Sequence, residues 1–247
     1  MSLGILFPGQ GSQSIGMLKD LKSSFKVVSE IFEEASDYLS CDLWKITKNG
    51  PESKINDTEF TQPIMLCSAF SVWKIWNDEG GEKPIFLAGH SFGEYTALCA
   101  SEAVKFKDAV KLVKKRAECM KAAPEGVMAA IIGIDYDDLK SVYDENKLTE
   151  VSIANINAPG QIVISGTNSG VKELSDLAML KKAKKIIPLP VSVASHSYLM
   201  QEQSEIFKEF IKNIKISEPL IPVINNVDVK NEKIEKNIKD ALVRQLY

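Results

Sequence analysis

The segment Gly89-His90-Ser91-Phe92-Gly93 sets a serine between two glycines at Gly-x-Ser-x-Gly spacing. The apolar run Pro84-Ile85-Phe86-Leu87-Ala88 precedes it, and the helix-compatible run Glu94-Tyr95-Thr96-Ala97-Leu98-Cys99-Ala100 follows. Strand, sharp turn and helix together strain the serine backbone and lift Oγ clear of the strand. Small neighbours let the strand and helix approach closely. The helix start and the Phe92 N–H then face the oxygen that turns negative in a tetrahedral intermediate. Such a serine can carry an acyl group.

A serine hydroxyl is almost entirely protonated near neutral pH, so it needs a base. The chain has two histidines, His90 and His196. His90 directly precedes Ser91, and at an extended strand end its side chain points away from Oγ. His196 is the remaining imidazole, in the loop-like stretch Val193-Ala194-Ser195-His196-Ser197 after Pro188-Leu189-Pro190. Catalytic groups commonly sit on such loops. A third group should orient the imidazole, and residue types alone do not identify it.

The elements that must position these residues read as follows. Leu3 to Phe7 is a short buried strand ending at the glycine-rich turn Pro8-Gly9-Gln10-Gly11-Ser12. Phe25, Val28, Ile31, Phe32 and Ala35 recur at helical spacing. A second helix is expected from Ile64 to Trp76, with Gln62-Pro63 at its start. Phe106 to Met120 is a third. After Pro124-Glu125-Gly126 the texture changes. Strand-like Val127–Ile134, helix-like Asp135–Asn146, strands Ser152–Asn155 and Gln161–Ser165, helix Ser169–Lys182 and a strand within Ala183–Pro190 give the order β-α-β-β-α-β. That is the split ferredoxin-like arrangement. The expected fold is α/β: a parallel-sheet, hydrolase-like large subdomain with an inserted ferredoxin-like small subdomain. The expected boundaries are 1–126 for the first part of the large subdomain, 127–191 for the insert and 192–247 for the return segment. From Asn231 the pattern is helical again, with Ile238, Leu242, Val243 and Leu246 on one face. It reaches Tyr247 without a stop signal, which reads as an incomplete chain.

Composition excludes several function classes. A net charge of −3 over 247 residues gives no special affinity for nucleic acid or an anionic membrane. Cys41, Cys67, Cys99 and Cys119 form no Cys-x-x-Cys pair and have no histidine at zinc-ligand spacing, so reduced thiols are expected and no metal. The N-terminus lacks a basic region and a long apolar run, and no stretch has the length to cross a bilayer. The cytoplasm is the expected location.

Five ordered motifs carry a resemblance that spans the chain. They are Phe7-Pro8-Gly9-Gln10-Gly11-Ser12-Gln13, Gly89-His90-Ser91-Phe92-Gly93-Glu94-Tyr95, Asn155-Ile156-Asn157-Ala158-Pro159-Gly160-Gln161, Pro188-Leu189-Pro190-Val191-Ser192 and Asn225-Asn226-Val227-Asp228. The chain resembles the malonyl-CoA:acyl carrier protein transacylase family of fatty acid synthesis. The resemblance implies that Ser91 takes a malonyl group from coenzyme A as an ester. It implies that His196 acts as base and then as acid, and that Gln10 and the Phe92 N–H form the oxyanion hole. Arg116 matches the arginine that pairs with the malonyl carboxylate, for which a planar guanidinium fork suits better than lysine. Met120, Asn155 and His90 complete the candidate substrate-binding set.

The resemblance implies malonyl-CoA as a substrate and no permanently bound cofactor; a monomer is expected. It also implies a transient partner, an acidic acyl carrier protein. Lys181, Lys182, Lys184 and Lys185 are the strongest basic cluster available to meet it. Phe92 departs from the leucine common at its position, a bulkier wall that leaves the backbone donor intact. Family members also continue beyond Tyr247, and the expectation is that a Val-Gln-Trp segment there supplies the backbone group that orients the histidine. Two other readings stay open: a serine esterase or acyl hydrolase with the same elbow, and an inactive fragment that keeps the motifs.

Overall fold

Two strands of the computed structural model flank the serine turn and its glycine-rich neighbour; the structure describes residues 2–191 and 193–247. Strand β1 (Gly4–Phe7) leads into the Pro8–Ser12 turn. Helices α1 (Lys19–Ser24), α2 (Lys26–Leu39), α3 (Leu43–Asn49), α4 (Glu52–Ile55) and α5 (Thr58–Asp78) follow. Strand β2 (Phe86–Gly89) then feeds helix α6 (Gly93–Ala100), and α7 (Phe106–Ala122) comes next. Next in sequence are β3 (Val127–Ile132), α8 (Tyr136–Glu145), β4 (Val151–Ala158), β5 (Gln161–Gly166), α9 (Asn168–Leu180) and β6 (Lys185–Pro188). A single 3-10 turn at Tyr198–Met200 precedes α10 (Gln201–Ile211), β7 (Val223–Ile224) and α11 (Glu235–Arg244).

The chain divides into two compact units, Met1–Glu118 with Lys208–Leu242, and Cys119–Phe207 with Val243–Tyr247. Turn signals in the sequence placed the borders at 126/127 and 191/192, where Ser192 lies outside the described residues. The borders of the two units fall within α7, α10 and α11. His196 belongs to the second unit.

In the first unit β1, β2 and β7 form a parallel sheet in the order β1-β2-β7. Its register pairs Phe7 with Gly89 and Leu87 with Val223, which brings the ends of β1 and β2 level. Parallel neighbours need long crossovers, and here the five helices from α1 to α5 make the crossover between β1 and β2. Helix α2 buries Val28, Ile31, Phe32 and Ala35 at the spacing read from sequence. Phe32 meets Trp44 edge to face at 5.2 Å between ring centroids.

Helix α5 starts earlier than the Gln62-Pro63 signal implied. The Asp57 carboxylate accepts from the Glu59 N–H at 3.1 Å, and this cap begins the helix at Thr58, leaving Pro63 inside it. Gln62 therefore stands one turn after Thr58, and its Nε2 donates to Thr58 Oγ1 over 3.0 Å. The run Ile64–Cys67 is buried residue by residue, so α5 is a core helix rather than an amphipathic one.

The second unit contains the antiparallel sheet β4-β5-β3-β6. With α8 and α9 inserted as the sequence order requires, this is the ferredoxin-like topology. Alternation along β3 sorts the faces: Ala129 and Ile131 join the core with Leu139, Ile164 and Leu174, while Met128 and Ala130 face the other way. The β4–β5 hairpin turns at Pro159-Gly160, so β4 runs through the Asn155–Ala158 stretch that sequence signals ended early. None of the helices among the described residues is long and apolar enough to cross a membrane.

Candidate functional site

Ser91 occupies the turn between β2 and α6 with φ of 52°, in the left-handed region that a non-glycine residue rarely takes. Both flanking glycines are required by space. A Cβ on Gly89 would lie 2.0 Å from the Gly93 carbonyl carbon, and one on Gly93 would lie 2.5 Å from the Phe7 carbonyl oxygen. The His90 N–H donates to that same Phe7 oxygen over 3.0 Å, tying the elbow to the end of β1. The His90 ring borders Gly9, whose added Cβ would meet His90 Nδ1 at 2.7 Å.

Arg116, on α7, is 1% exposed and brings its guanidinium to the serine. Nη2 donates to Ser91 Oγ over 2.9 Å, and Nη1 donates to Gln62 Oε1 over 3.1 Å. The chain of contacts continues from Gln62 to Thr58, whose hydroxyl donates to Gln10 Oε1 over 3.1 Å. Thus Gln10, Thr58, Gln62, Arg116 and Ser91 form one polar row. Burial pushes the guanidinium's affinity for its proton downward, and Tyr95 and then Glu94 hold it up. An arginine keeps its charge through such a shift, so a buried cation stands against the serine oxygen. The elbow pointed to Ser91 and the resemblance to Gln10 and Arg116; Thr58 and Gln62 were missed, because the helix was expected from Ile64 with Gln62-Pro63 only at its start.

Phe92 is 1% exposed, so the bulk that replaces leucine is absorbed in the core. Its N–H, like that of Gln10, has no acceptor among the described residues. The Ser91 N–H, by contrast, donates to Asn226 Oδ1 over 2.9 Å. Met120 lies four residues beyond Arg116 on α7 and is 5% exposed. Asn155 sits at a β-bulge of β4, half-buried, in the second unit.

His196 also has positive φ, 59°. Its Nδ1 contacts the Gln245 carbonyl oxygen, and its N–H donates to the Leu246 carbonyl over 3.1 Å. A carbonyl oxygen can only accept, so Nδ1 carries a proton. In the neutral ring this makes Nε2 the basic nitrogen. The expectation that the orienting backbone group lies beyond Tyr247 is therefore corrected: Gln245 supplies it within this chain. No residue type could reveal this, because any residue offers the same carbonyl.

Lys181, Lys182, Lys184 and Lys185 are all exposed, at the end of α9 and the start of β6. No carboxylate among the described residues pairs with any of them. No metal-binding group of His, Cys, Asp and Glu occurs among the described residues.

Residues 5–244 match the acyl transferase domain family model. The chain is 44% identical over 246 residues to the malonyl CoA-acyl carrier protein transacylase of Salmonella typhimurium, covering 98% of this chain and 80% of that one. Its fold matches an acyl carrier protein S-malonyltransferase from Vibrio cholerae at a TM-score of 0.96 and 43% identity, over 100% of this chain and 82% of the other. It also matches a malonyl-transacylase solved in complex with its type II polyketide synthase acyl carrier protein, at a TM-score of 0.96 and 42% identity, over 100% and 81% of the two chains. Matched across nearly its whole length, the chain belongs to the acyl transferase domain family.

Proposed function

We propose that the protein transfers a malonyl group from coenzyme A to the phosphopantetheine thiol of an acyl carrier protein through a malonyl ester on Ser91. The observation that carries the choice of acyl group is the buried Arg116, hydrogen-bonded to Ser91 Oγ at 2.9 Å. A neutral acyl chain needs no such charge, whereas a malonyl carboxylate does.

In this reading Ser91 Oγ attacks the thioester carbonyl while His196 Nε2 takes its proton. The N–H groups of Gln10 and Phe92 hold the developing oxyanion. The carbon–sulfur bond breaks, and the imidazolium returns the proton to the departing thiolate of coenzyme A. The carrier thiol then attacks the ester by the reverse sequence, with His196 again moving the proton, and Ser91 is regenerated. Met120, Asn155 and His90 are proposed to border the acyl and pantetheine groups. Malonyl-CoA enters as substrate, and the chemistry asks for no resident cofactor or metal.

The exposed cluster Lys181, Lys182, Lys184 and Lys185 is the proposed contact for an acidic carrier. The protein is further proposed to work as a cytoplasmic monomer. The same elbow could serve a hydrolase, so the deciding experiment follows coenzyme A release with and without holo carrier protein. Sustained turnover that needs the carrier is the expected result. Equal turnover with water as the only acceptor would mean a hydrolase.

A further inference from the structure

The group that grips the nucleophile's backbone is Asn226, in the loop after β7 and within the first unit. Its Oδ1 accepts from the Ser91 N–H over 2.9 Å, and its Nδ2 donates to the Gly89 carbonyl over 2.7 Å. One side-chain amide therefore bridges the two residues on either side of His90. It acts as a short strand partner where the parallel sheet ends and the elbow begins. Nδ2 also donates to Glu94 Oε2 over 2.7 Å, and the Asn226 main-chain N–H donates to the same oxygen over 2.8 Å. Glu94 is 2% exposed and lies in the first turn of α6, the helix that the elbow launches.

We infer that Asn226, anchored by Glu94, is a positioning residue for the acyl transfer: it fixes the Ser91 turn and assigns different tasks to the two neighbouring amides. The Ser91 N–H is committed to Asn226 and is not available to an oxyanion. The Phe92 N–H, one residue on, has no acceptor among the described residues and is the donor left for that role. Without Asn226 the elbow loses its bond on each side of His90, the Ser91 N–H competes for the oxyanion, and Oγ moves relative to Arg116. A full use of the amide, both hydrogens and the oxygen, explains why a residue in the Asn225-Asn226-Val227-Asp228 motif reaches back to the serine. This inference rests on Ser91 being the acyl carrier.

The test uses the whole chain and four variants: Asn226→Ala, Asn226→Asp, Glu94→Ala and Glu94→Gln. Initial rates of malonyl transfer are referred to the folded fraction measured by circular dichroism. Asn226→Ala and Asn226→Asp are expected to lower kcat about 10²-fold, the scale of a small misplacement of a reacting group. KM for malonyl-CoA should stay within about twofold, because uniform substrate binding is untouched. Aspartate keeps the shape but cannot donate, so it should not rescue. Both bonds to Glu94 end on one oxygen, which an amide oxygen can replace. Glu94→Gln should therefore recover most of the kcat that Glu94→Ala loses. An unchanged kcat in the folded Asn226 variants would overturn the inference, as would Glu94→Gln behaving like Glu94→Ala. Ser91→Ala is run beside them. Malonyl transfer surviving in Ser91→Ala would sink the nucleophile itself; an inactive Ser91→Ala beside a fully active Asn226→Ala would sink the positioning role alone.

Discussion

The guanidinium of Arg116 donates through Nη2 to Ser91 Oγ over 2.9 Å while its Nη1 donates to Gln62 Oε1 over 3.1 Å. One fixed cation thus touches the serine oxygen and is held from behind by a side chain of α5. A charge-assisted bond of this kind contributes about 1.5–3 kcal/mol. Arg116→Ala should therefore lower kcat/KM for malonyl-CoA about 10- to 10²-fold more than for acetyl-CoA. Equal losses on the two thioesters would remove the carboxylate clamp. Arg116→Lys should recover little, since a single ammonium cannot span Gln62 and the acyl group with the same geometry.

Ser91 pays a conformational cost for its position. The left-handed region disfavours an L-residue by about 1–2 kcal/mol, and glycine is free of that penalty. Ser91→Gly should be more stable than Ser91→Ala by about 1 kcal/mol, with both variants unable to take up malonyl. Urea unfolding at equilibrium reads the difference. Identical midpoints would mean that the turn is not strained.

The imidazole of His196 is oriented by the Gln245 carbonyl and tied through its own N–H to Leu246. Gln245→Ala keeps that carbonyl and should keep most activity. Deleting Gln245–Tyr247 removes both acceptors and should lower kcat by about 10²-fold or more, as expected when a catalytic histidine loses its tautomer. A pH–rate profile distinguishes loss of the base from general unfolding. An unchanged profile in the deleted chain would contradict the assignment of Gln245.

The Glu150 carboxylate accepts from Ser169 Oγ at 2.7 Å and from Thr167 Oγ1 at 2.9 Å, and these bonds, Ser169's first, hold its carboxyl below the usual carboxylate range. Thr167 in turn caps α9 by accepting from the Gly170 N–H. For a carboxyl whose folded pKa is depressed, the stabilisation is present above the unfolded pKa and is lost as pH falls through the folded one. Thermal midpoints should therefore drop on the acid side, and Glu150→Gln should flatten that limb by starting from a slightly lower neutral plateau and meeting the parent protein at acid pH. The effect is small because Glu150 is exposed. Parallel acid limbs in the two proteins would contradict it.

The elbow was legible because it is local. Gly89, Ser91 and Gly93 declare the turn by their types, and the apolar runs on either side declare strand and helix. The βαββαβ order was legible for the same reason: short apolar strand-like runs and helical patterns follow one another from Val127 to Pro188. What stayed hidden depends on distant or generic groups. Strand β7 has two residues, too few for a pattern, yet it delivers Asn226 to the serine. The Gln245 carbonyl has no side-chain signature. Thr58 and Gln62 were obscured because Pro63 reads as a helix start, whereas the Asp57 cap set the start earlier. Helix α10 went unread, although Phe207 and Ile211 on it are buried.

Transfer by this route requires a malonyl ester on Ser91. The direct measurement is the intact mass of the protein, followed by peptide mapping, after brief mixing with malonyl-CoA and acid quench. The peptide containing Ser91 should gain one malonyl group, lose it when holo carrier protein is added, and show no gain in Ser91→Ala. A protein that releases coenzyme A without any gain at Ser91, or that carries the malonyl group elsewhere, would contradict it.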